Sequence, residues 1–320
     1  MNWLDELLEG AETIAIGGHV RPDGDCVGSC LGLKNYILEN YPVKSVEVFM
    51  EEPPSVFAYL KGFEDICSDF STDNHYDIFF ALDCGDTGRL GDAYRIFENA
   101  GKTVCIDHHI SNTGYADMNR IDGEIGSTCE ILFYLMEADK ISQETASAIY
   151  TGIIHDTGVL KYSNTTSKTL QAVGVLIDKG VPFTKIIDDS FYTKTYVQKQ
   201  ILGRALLESI LLFDGKCIAS VIRKRDMEFY NVTSKDMEGI VSELLTTEGV
   251  EVSIFLYEME FQTFKVSLRS KELVDVSTIA SYFGGGGHIR AAGCTMEGSP
   301  HDVINNLTLH IEKQFLEHQQ

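Results

Sequence analysis

The sequence predicts an α/β fold in two parts, a parallel-sheet unit followed by a smaller α+β unit. Three observations carry that expectation. A length of 320 residues suits about two domains. Over residues 1–190, short apolar runs alternate with segments of helical spacing, the pattern of βαβ crossovers. After residue 207 the pattern shifts to longer strand-like runs with fewer helices between them. The expected units are therefore 1–190 and 208–320, joined by a helical linker at 191–207.

In order along the chain, residues 14–16 read as a first strand, 27–38 as a helix and 46–49 as a second strand. Residues 78–82, Ile-Phe-Phe-Ala-Leu, are apolar at every position, as in a strand buried on both faces. Residues 104–106 form a fourth strand. Helices are expected over 130–137, 144–154 and 167–179, the last closed by Gly180 ahead of Pro182, and 188–207 reads as a helical connector. In the second unit, strands are expected at 216–222 and 250–257, with 264–268 as an antiparallel partner. A helix over 276–282 runs into the glycines 284–287, and an amphipathic helix covers 303–315. Ligands of a parallel sheet gather beyond the carboxyl ends of its strands, so the residues that follow each strand are where chemistry is expected.

Hydrophobic residues make up 44% of the chain, enough for real cores. No apolar run reaches the ~18 residues of a transmembrane helix. The first residues, Met1-Asn2-Trp3-Leu4-Asp5-Glu6, are acidic and lack the basic flank of a signal peptide. The eight cysteines are scattered, with no CxxC pair, which suits a reducing cytoplasm. A formal net charge of −22 argues against binding of long nucleic acid, which needs basic tracks. It leaves short anionic substrates open, because bound divalent cations can reverse the field inside one cleft.

The residues after the predicted strands are chemically distinctive. His19, Asp23 and Asp25 follow the first, Asp83 follows the third, Asp107-His108-His109 follows the fourth, and Asp156 follows a helix. Each alone has a plainer use: Asp23, Asp25 and Asp83 as helix caps, His19 as a packed histidine, Asp156 as a turn residue. Together they put five carboxylates and three imidazoles at one rim, more than the roughly four ligands a single ion needs. Such a donor set points to two divalent ions sharing a carboxylate, an arrangement suited to phosphoester hydrolysis. In the second unit, Gly284 to Gly287 precede His288, Arg290 and Gly293. Glycines let backbone N–H groups approach phosphate closely, and His288, Arg290 and Arg269 can add charged hydrogen bonds. A flexible linker and a solvated surface arginine are the plainer uses here.

These motifs, His19-x-x-Pro22-Asp23-x-Asp25, Asp83, Asp107-His108-His109 and Asp156, resemble those of the DHH phosphoesterase superfamily. The stretch Gly284-Gly285-Gly286-Gly287-His288-Ile289-Arg290-Ala291-Ala292-Gly293 is similar to the signature of its DHH-associated C-terminal domain. The nearest architecture is the stand-alone, NrnA-like group of oligoribonucleases, many of them also phosphatases of 3′-phosphoadenosine 5′-phosphate. The resemblance implies two α/β lobes with the active site in the cleft between them. It implies that His19, Asp23 and Asp83 hold one Mn²⁺, and that Asp25, Asp83, His108 and Asp156 hold the other, with Mg²⁺ or Co²⁺ as substitutes. His109 then contacts the scissile phosphate and Asp107 orients the histidine pair. Gly285, Gly286, Gly287, His288, Arg290 and Arg269 would bind the substrate's phosphate. The implied reaction is hydrolysis of short RNA or linear dinucleotides to mononucleotides, and of 3′-phosphoadenosine 5′-phosphate to AMP. A homodimer would be typical of relatives; the composition and charge point to a cytoplasmic protein without affinity for membranes or long duplexes. Polyphosphate, pyrophosphate or cyclic-dinucleotide hydrolysis is the alternative, and a catalytically silent nucleotide-binding regulator is the alternative outside enzymology. The glycine-rich signature weighs against the pyrophosphatase branch, whose C-terminal domain is expected to differ.

Overall fold

A computed structural model describes residues 3–318. The first two and last two residues, which the sequence reading assigns to the ends of the two units and to the acidic N-terminus, lie outside the described residues. The chain divides into two compact units, Met1–Thr193 and Lys194–Gln320.

The first unit is built on six parallel strands: β1 (Thr13–Gly17), β2 (Ser45–Phe49), β3 (Ile66–Cys67), β4 (Ile78–Leu82), β5 (Thr103–Asp107) and β6 (Met118–Ile121). They lie in the order β3-β2-β1-β4-β5-β6. Both faces are covered, and the alternation of side chains along each strand shows how. Ile14, Ile16, Ile78, Phe80, Leu82, Val104 and Ile106 join a core with α1 (Trp3–Leu8), α2 (Gly24–Asn40), α4 (Thr128–Leu135), α5 (Gln143–Asp156) and α6 (Ser167–Asp178). Ala15, Phe49, Phe79 and Ala81 point the other way, against Leu90, Ala93, Ile96 and Phe97 around α3 (Tyr94–Glu98). This double burial is why 78–82 carries no polar residue.

The strand order reverses between β1 and β4, so the chain crosses to opposite sides from that point. Such a switch point opens a crevice at the carboxyl ends of the strands.

The expected connector over 188–207 is not one helix. After α7 (Phe183–Ile186) come a π-helical turn at Ile187–Tyr192 and a separate α8 (Tyr196–Leu207). A capping box starts α8 afresh: the Thr195 hydroxyl accepts from the Gln198 N–H, and the Gln198 side chain accepts from the Thr195 N–H.

The second unit has strands β7 (Ile210–Leu212), β8 (Cys217–Ile222), β9 (Val252–Glu260), β10 (Thr263–Ser270), β11 (Gly286–His288) and β12 (Ala291–Glu297), in the order β11-β12-β10-β9-β8-β7. All pairs are antiparallel except β8–β9. One face packs on α11 (Val276–Tyr282) and α12 (Pro300–Glu317), the other on α8 and α10 (Ile240–Leu245), with α9 (Lys224–Tyr230) beside α8. All eight cysteines are free. Among the described residues no helix is long and apolar enough to cross a membrane.

Candidate active site

The switch-point crevice is where the candidate ligands of the first unit meet. Strand β1 ends at Gly17, and His19 lies two residues beyond it, 3% exposed. Its Nδ1 sits 2.9 Å from the Val20 carbonyl, which can only accept, so that nitrogen carries the proton and Nε2 is left as the donor to the site. Nε2 lies 3.4 Å from Asp83 Oδ2 and 3.6 Å from Asp23 Oδ1. Asp23 is indeed the N-cap of α2, accepting from the N–H groups of Asp25 and Cys26. It caps the helix and faces His19 at once.

Asp83 follows β4 directly, with a left-handed backbone (φ +56°) that aspartate tolerates better than most residues. Its two carboxylate oxygens face different ways, Oδ2 toward His19 and Oδ1 toward His108 Nε2 at 3.5 Å. His108 Nε2 also lies 3.1 Å from Asp156 Oδ2 and 4.0 Å from Asp25 Oδ2. Asp156 is the last residue of α5 rather than a turn residue after it. Asp25 is fully buried on α2, where both of its oxygens accept backbone N–H groups from the start of α4, Thr128 at 2.6 Å and Cys129 at 2.9 Å.

The side chains thus form two triads able to hold a cation, His19/Asp23/Asp83 and Asp25/His108/Asp156. The Asp83 carboxylate joins them. A third grouping, Asp83/His108/His109, shares the same space. His109 is otherwise engaged: its Nδ1 lies 2.7 Å from Asp107 Oδ1, so that the N–H there donates to the carboxylate and Nε2 is left free. Asp107 Oδ2 accepts from the Asn112 amide at 2.7 Å, and the same amide reaches the Cys84 carbonyl at 3.2 Å. Asp107 thus holds the His109 ring and is itself held by Asn112.

The electrostatics show a site short of positive charge. Burial and the charges of Asp83 and Asp156 push Asp25 well above the usual carboxylate range, and burial likewise raises Asp83. Burial alone would lower the imidazoles. Instead, hydrogen bonds to Asp23 and Asp83 push His19 up to about 12, and Asp156, Asp25 and Asp83 push His108 up to about 10. The carboxylates demand cations, and without metal they obtain them as protons on histidine. The donors are oxygen and imidazole nitrogen. The nearby thiols of Cys26 and Cys129 are fully buried and raised well above their ordinary value by burial, which keeps them from acting as thiolate ligands. This donor set fits hard to borderline divalent cations.

The second-unit candidates form a separate group. The glycine run does not stay a loop, because Gly286, Gly287 and His288 form β11 at the sheet edge. Arg269 on β10 pairs with Ala291 on β12, which pairs with His288, so the three share one cross-strand row. Gly285, Gly286, Gly287, His288 and Arg290 are exposed and Arg269 is half-buried. Arg290 donates to the Val274 carbonyl and Arg269 to the Leu268 carbonyl. Two side chains on the first unit's cluster escaped the sequence reading, Asn112 and Thr128. The signal that could have exposed Thr128 is the Ser127-x-x-Glu130 start of α4, where the Ser127 hydroxyl accepts from the Glu130 N–H.

Residues 13–153 match the DHH family, N-terminal domain, and residues 214–316 match the DHHA1 domain. The chain is 28% identical to the bifunctional oligoribonuclease and PAP phosphatase NrnA of Bacillus subtilis, over 89% of this chain and 90% of that protein. It is 28% identical to the protein of the same name from Thermus thermophilus, over 93% of this chain and 89% of that one. An exopolyphosphatase-related protein from Bacteroides fragilis, known from a crystal structure, is 26% identical with a TM-score of 0.86, over 98% of this chain and 96% of that one. Two family domains in the expected order, over a site of these donors, lead to one conclusion: the chain belongs to the DHH family of phosphoesterases, with a DHHA1 domain in its second unit.

Proposed function

We propose that this phosphoesterase hydrolyses short oligoribonucleotides and linear dinucleotides to mononucleotides, and 3′-phosphoadenosine 5′-phosphate to AMP, with two divalent cations, Mn²⁺ before Mg²⁺ or Co²⁺. The observation that carries the reading is the pair of triads joined by Asp83. The substrate class rests on relatives named as oligoribonucleases and PAP phosphatases that align over about nine-tenths of the chain.

In this reading His19, Asp23 and Asp83 hold one cation and Asp25, Asp83, His108 and Asp156 the other. When bound, the pair supplies an activated water and neutralises charge on the phosphoryl group. The protein's own groups do the rest. Asp107 keeps His109 in the tautomer whose free Nε2 accepts; protonated, the ring donates from Nε2 to a phosphoryl oxygen as charge builds there. Asp107 also raises the His109 pKa, favouring that donor form. Arg269, His288, Arg290 and the N–H groups of Gly285, Gly286 and Gly287 bind a phosphate of the substrate. Residues 1–190 serve as the catalytic unit, 191–207 as linker and 208–320 as the substrate-binding unit. The eight free cysteines support a cytoplasmic location, and the net charge of −22 supports short rather than long nucleic-acid substrates.

A second reading, polyphosphate hydrolysis, is favoured by the exopolyphosphatase-related Bacteroides fragilis protein. One turnover panel with Mn²⁺ separates the two. Di- to pentaribonucleotides, 3′-phosphoadenosine 5′-phosphate, a cyclic dinucleotide, pyrophosphate and polyphosphate are compared by kcat/KM. The short ribonucleotides and 3′-phosphoadenosine 5′-phosphate are expected to exceed polyphosphate by at least about tenfold, roughly 1.4 kcal/mol of transition-state preference. Polyphosphate as the best substrate would overturn the assignment.

The role of His109 has its own test. Asn112→Ala strips a hydrogen bond from buried Asp107 without touching either triad. The expected result is a fall in kcat of about 10–100-fold, the usual effect of removing such an orienting partner. KM is expected to change little, and Mn²⁺ affinity to stay at the wild-type level. Loss of Mn²⁺ binding in this variant would instead place Asp107 among the ligands.

A further inference from the structure

Thr128, the first residue of α4, touches two carboxylates that come from different parts of the chain. Its backbone N–H donates to Asp25 Oδ2 at 2.6 Å, and its hydroxyl donates to Asp83 Oδ1 at 3.2 Å. The side chain is fully buried. The hydroxyl is not needed to cap the helix, because Ser127 already does that by accepting from the Glu130 N–H at 3.0 Å. Nor is it needed for shape, since valine fills the same volume. What remains is its bond to Asp83.

That bond falls where orientation matters most. Asp83 Oδ1 looks toward His108 and Oδ2 toward His19. A turn of the carboxylate about its Cβ–Cγ bond would take both oxygens off their clusters at once. The backbone at Asp83 is left-handed, so the residue has little freedom to correct the error from below. A buried hydroxyl donating to one oxygen fixes the plane of the group and leaves further lone pairs on both oxygens open. The same residue's N–H fixes Asp25, which belongs to the second triad.

We propose that Thr128 is the positioning residue for the shared carboxylate: its hydroxyl sets the plane of Asp83 so that one oxygen serves each cation. The inference rests on the two-cation reading given above. It goes beyond that reading in naming a residue that touches neither cation and yet determines whether two are held together.

Thr128→Val removes the hydroxyl and keeps the backbone N–H to Asp25, while Thr128→Ser restores the hydroxyl on a smaller side chain. Metal-free wild type and variants are titrated with Mn²⁺ by calorimetry, and electron paramagnetic resonance is recorded at two equivalents. Wild type is expected to bind two Mn²⁺ with an exchange-coupled spectrum. Thr128→Val is expected to bind the second ion about 10–100-fold more weakly and to show the resolved hyperfine pattern of isolated Mn²⁺. Thr128→Ser is expected to follow wild type. Should the valine variant fail to fold, Thr128→Ala is the second hydroxyl-free variant. A coupled, two-ion valine or alanine variant overturns the proposal, as does a serine variant as impaired as valine, which would make the effect one of packing. A wild type that takes up a single Mn²⁺ overturns the two-cation reading itself and this inference with it, a result read in the wild-type arm alone.

Discussion

Asp83→Asn is expected to cut turnover of a short oligoribonucleotide by about a thousandfold or more while the variant still folds. Asp83 is 2% exposed and offers one oxygen to each triad. The carboxamide keeps the shape, but one of its two ends becomes an NH₂ group with no lone pair for a cation. Whichever way the amide turns, one triad loses a ligand atom, and the negative charge that both share is gone. Two effects on stability oppose each other. Burial, aided by the charges of Asp23 and Asp156, raises the Asp83 pKa. The folded state therefore holds that proton more tightly than the unfolded state does. Its ionisation then costs stability as pH climbs above about 4, and the asparagine variant escapes that loss. Against this, His19 gives up one of its two carboxylate partners and keeps Asp23. The metal-free variant should melt within a few degrees of metal-free wild type at neutral pH. The checks are melts in the presence of a chelator, steady-state kinetics with Mn²⁺, and Mn²⁺ calorimetry. Near wild-type turnover would remove Asp83 from the role of shared ligand.

How much of this site could be read in the sequence depends on what kind of information each residue carries. His19, Asp83 and Asp107-His108-His109 announce themselves because each follows an apolar run that can only be a buried strand, and residues just past such strands share a rim. The strand order is different. That β1 lies between β2 and β4, with the chain reversing beside it, is set by crossovers and is not written in any local pattern. It is the order that turns a common rim into a common crevice. Asn112 and Thr128 were missed because a hydroxyl or amide acting through another residue has no spacing rule of its own. The glycines at 284–287 show the opposite limit. Glycine has little strand preference, so the run reads as a loop, yet Gly286 and Gly287 are held extended by pairing with Gly293 and Ala292. Tertiary pairing overrides local preference there. The break before α8 is legible: Thr195 and Gln198 carry the T-x-x-Q signal inside the expected 188–207 connector.

Gly28→Ala is expected to destabilise the first unit by about 1–3 kcal/mol, against the usual direction for this change. Alanine in place of a helix-interior glycine normally gains about 1 kcal/mol. Here an added Cβ would lie 2.5 Å from the Ala148 carbonyl oxygen and 3.0 Å from the Gly152 nitrogen, backbone atoms of α5 that cannot rotate aside. Gly24 and Gly32, four residues to either side, also lie against α5, but against the side chains of His155 and Ile149. The spacing of four places all three on one face of α2. They run along α5 from its end toward its middle, so the two helices pack antiparallel at close range. The approach has a purpose in the site. Asp25 rides on α2 and Asp156 on α5, and His108 Nε2 reaches both, at 4.0 Å and 3.1 Å. Forcing the helices apart separates these two carboxylates, so Mn²⁺ affinity should fall together with stability. Gly174→Ala in α6 is the matched contrast, since nothing lies within 4 Å of its Cβ position. That variant should gain up to about 1 kcal/mol and bind Mn²⁺ as wild type does. Urea unfolding and Mn²⁺ calorimetry on the two variants decide the matter. If Gly28→Ala stabilises as Gly174→Ala does, the α2–α5 contact is looser than these distances state, and the glycine spacing is not what brings the second triad together.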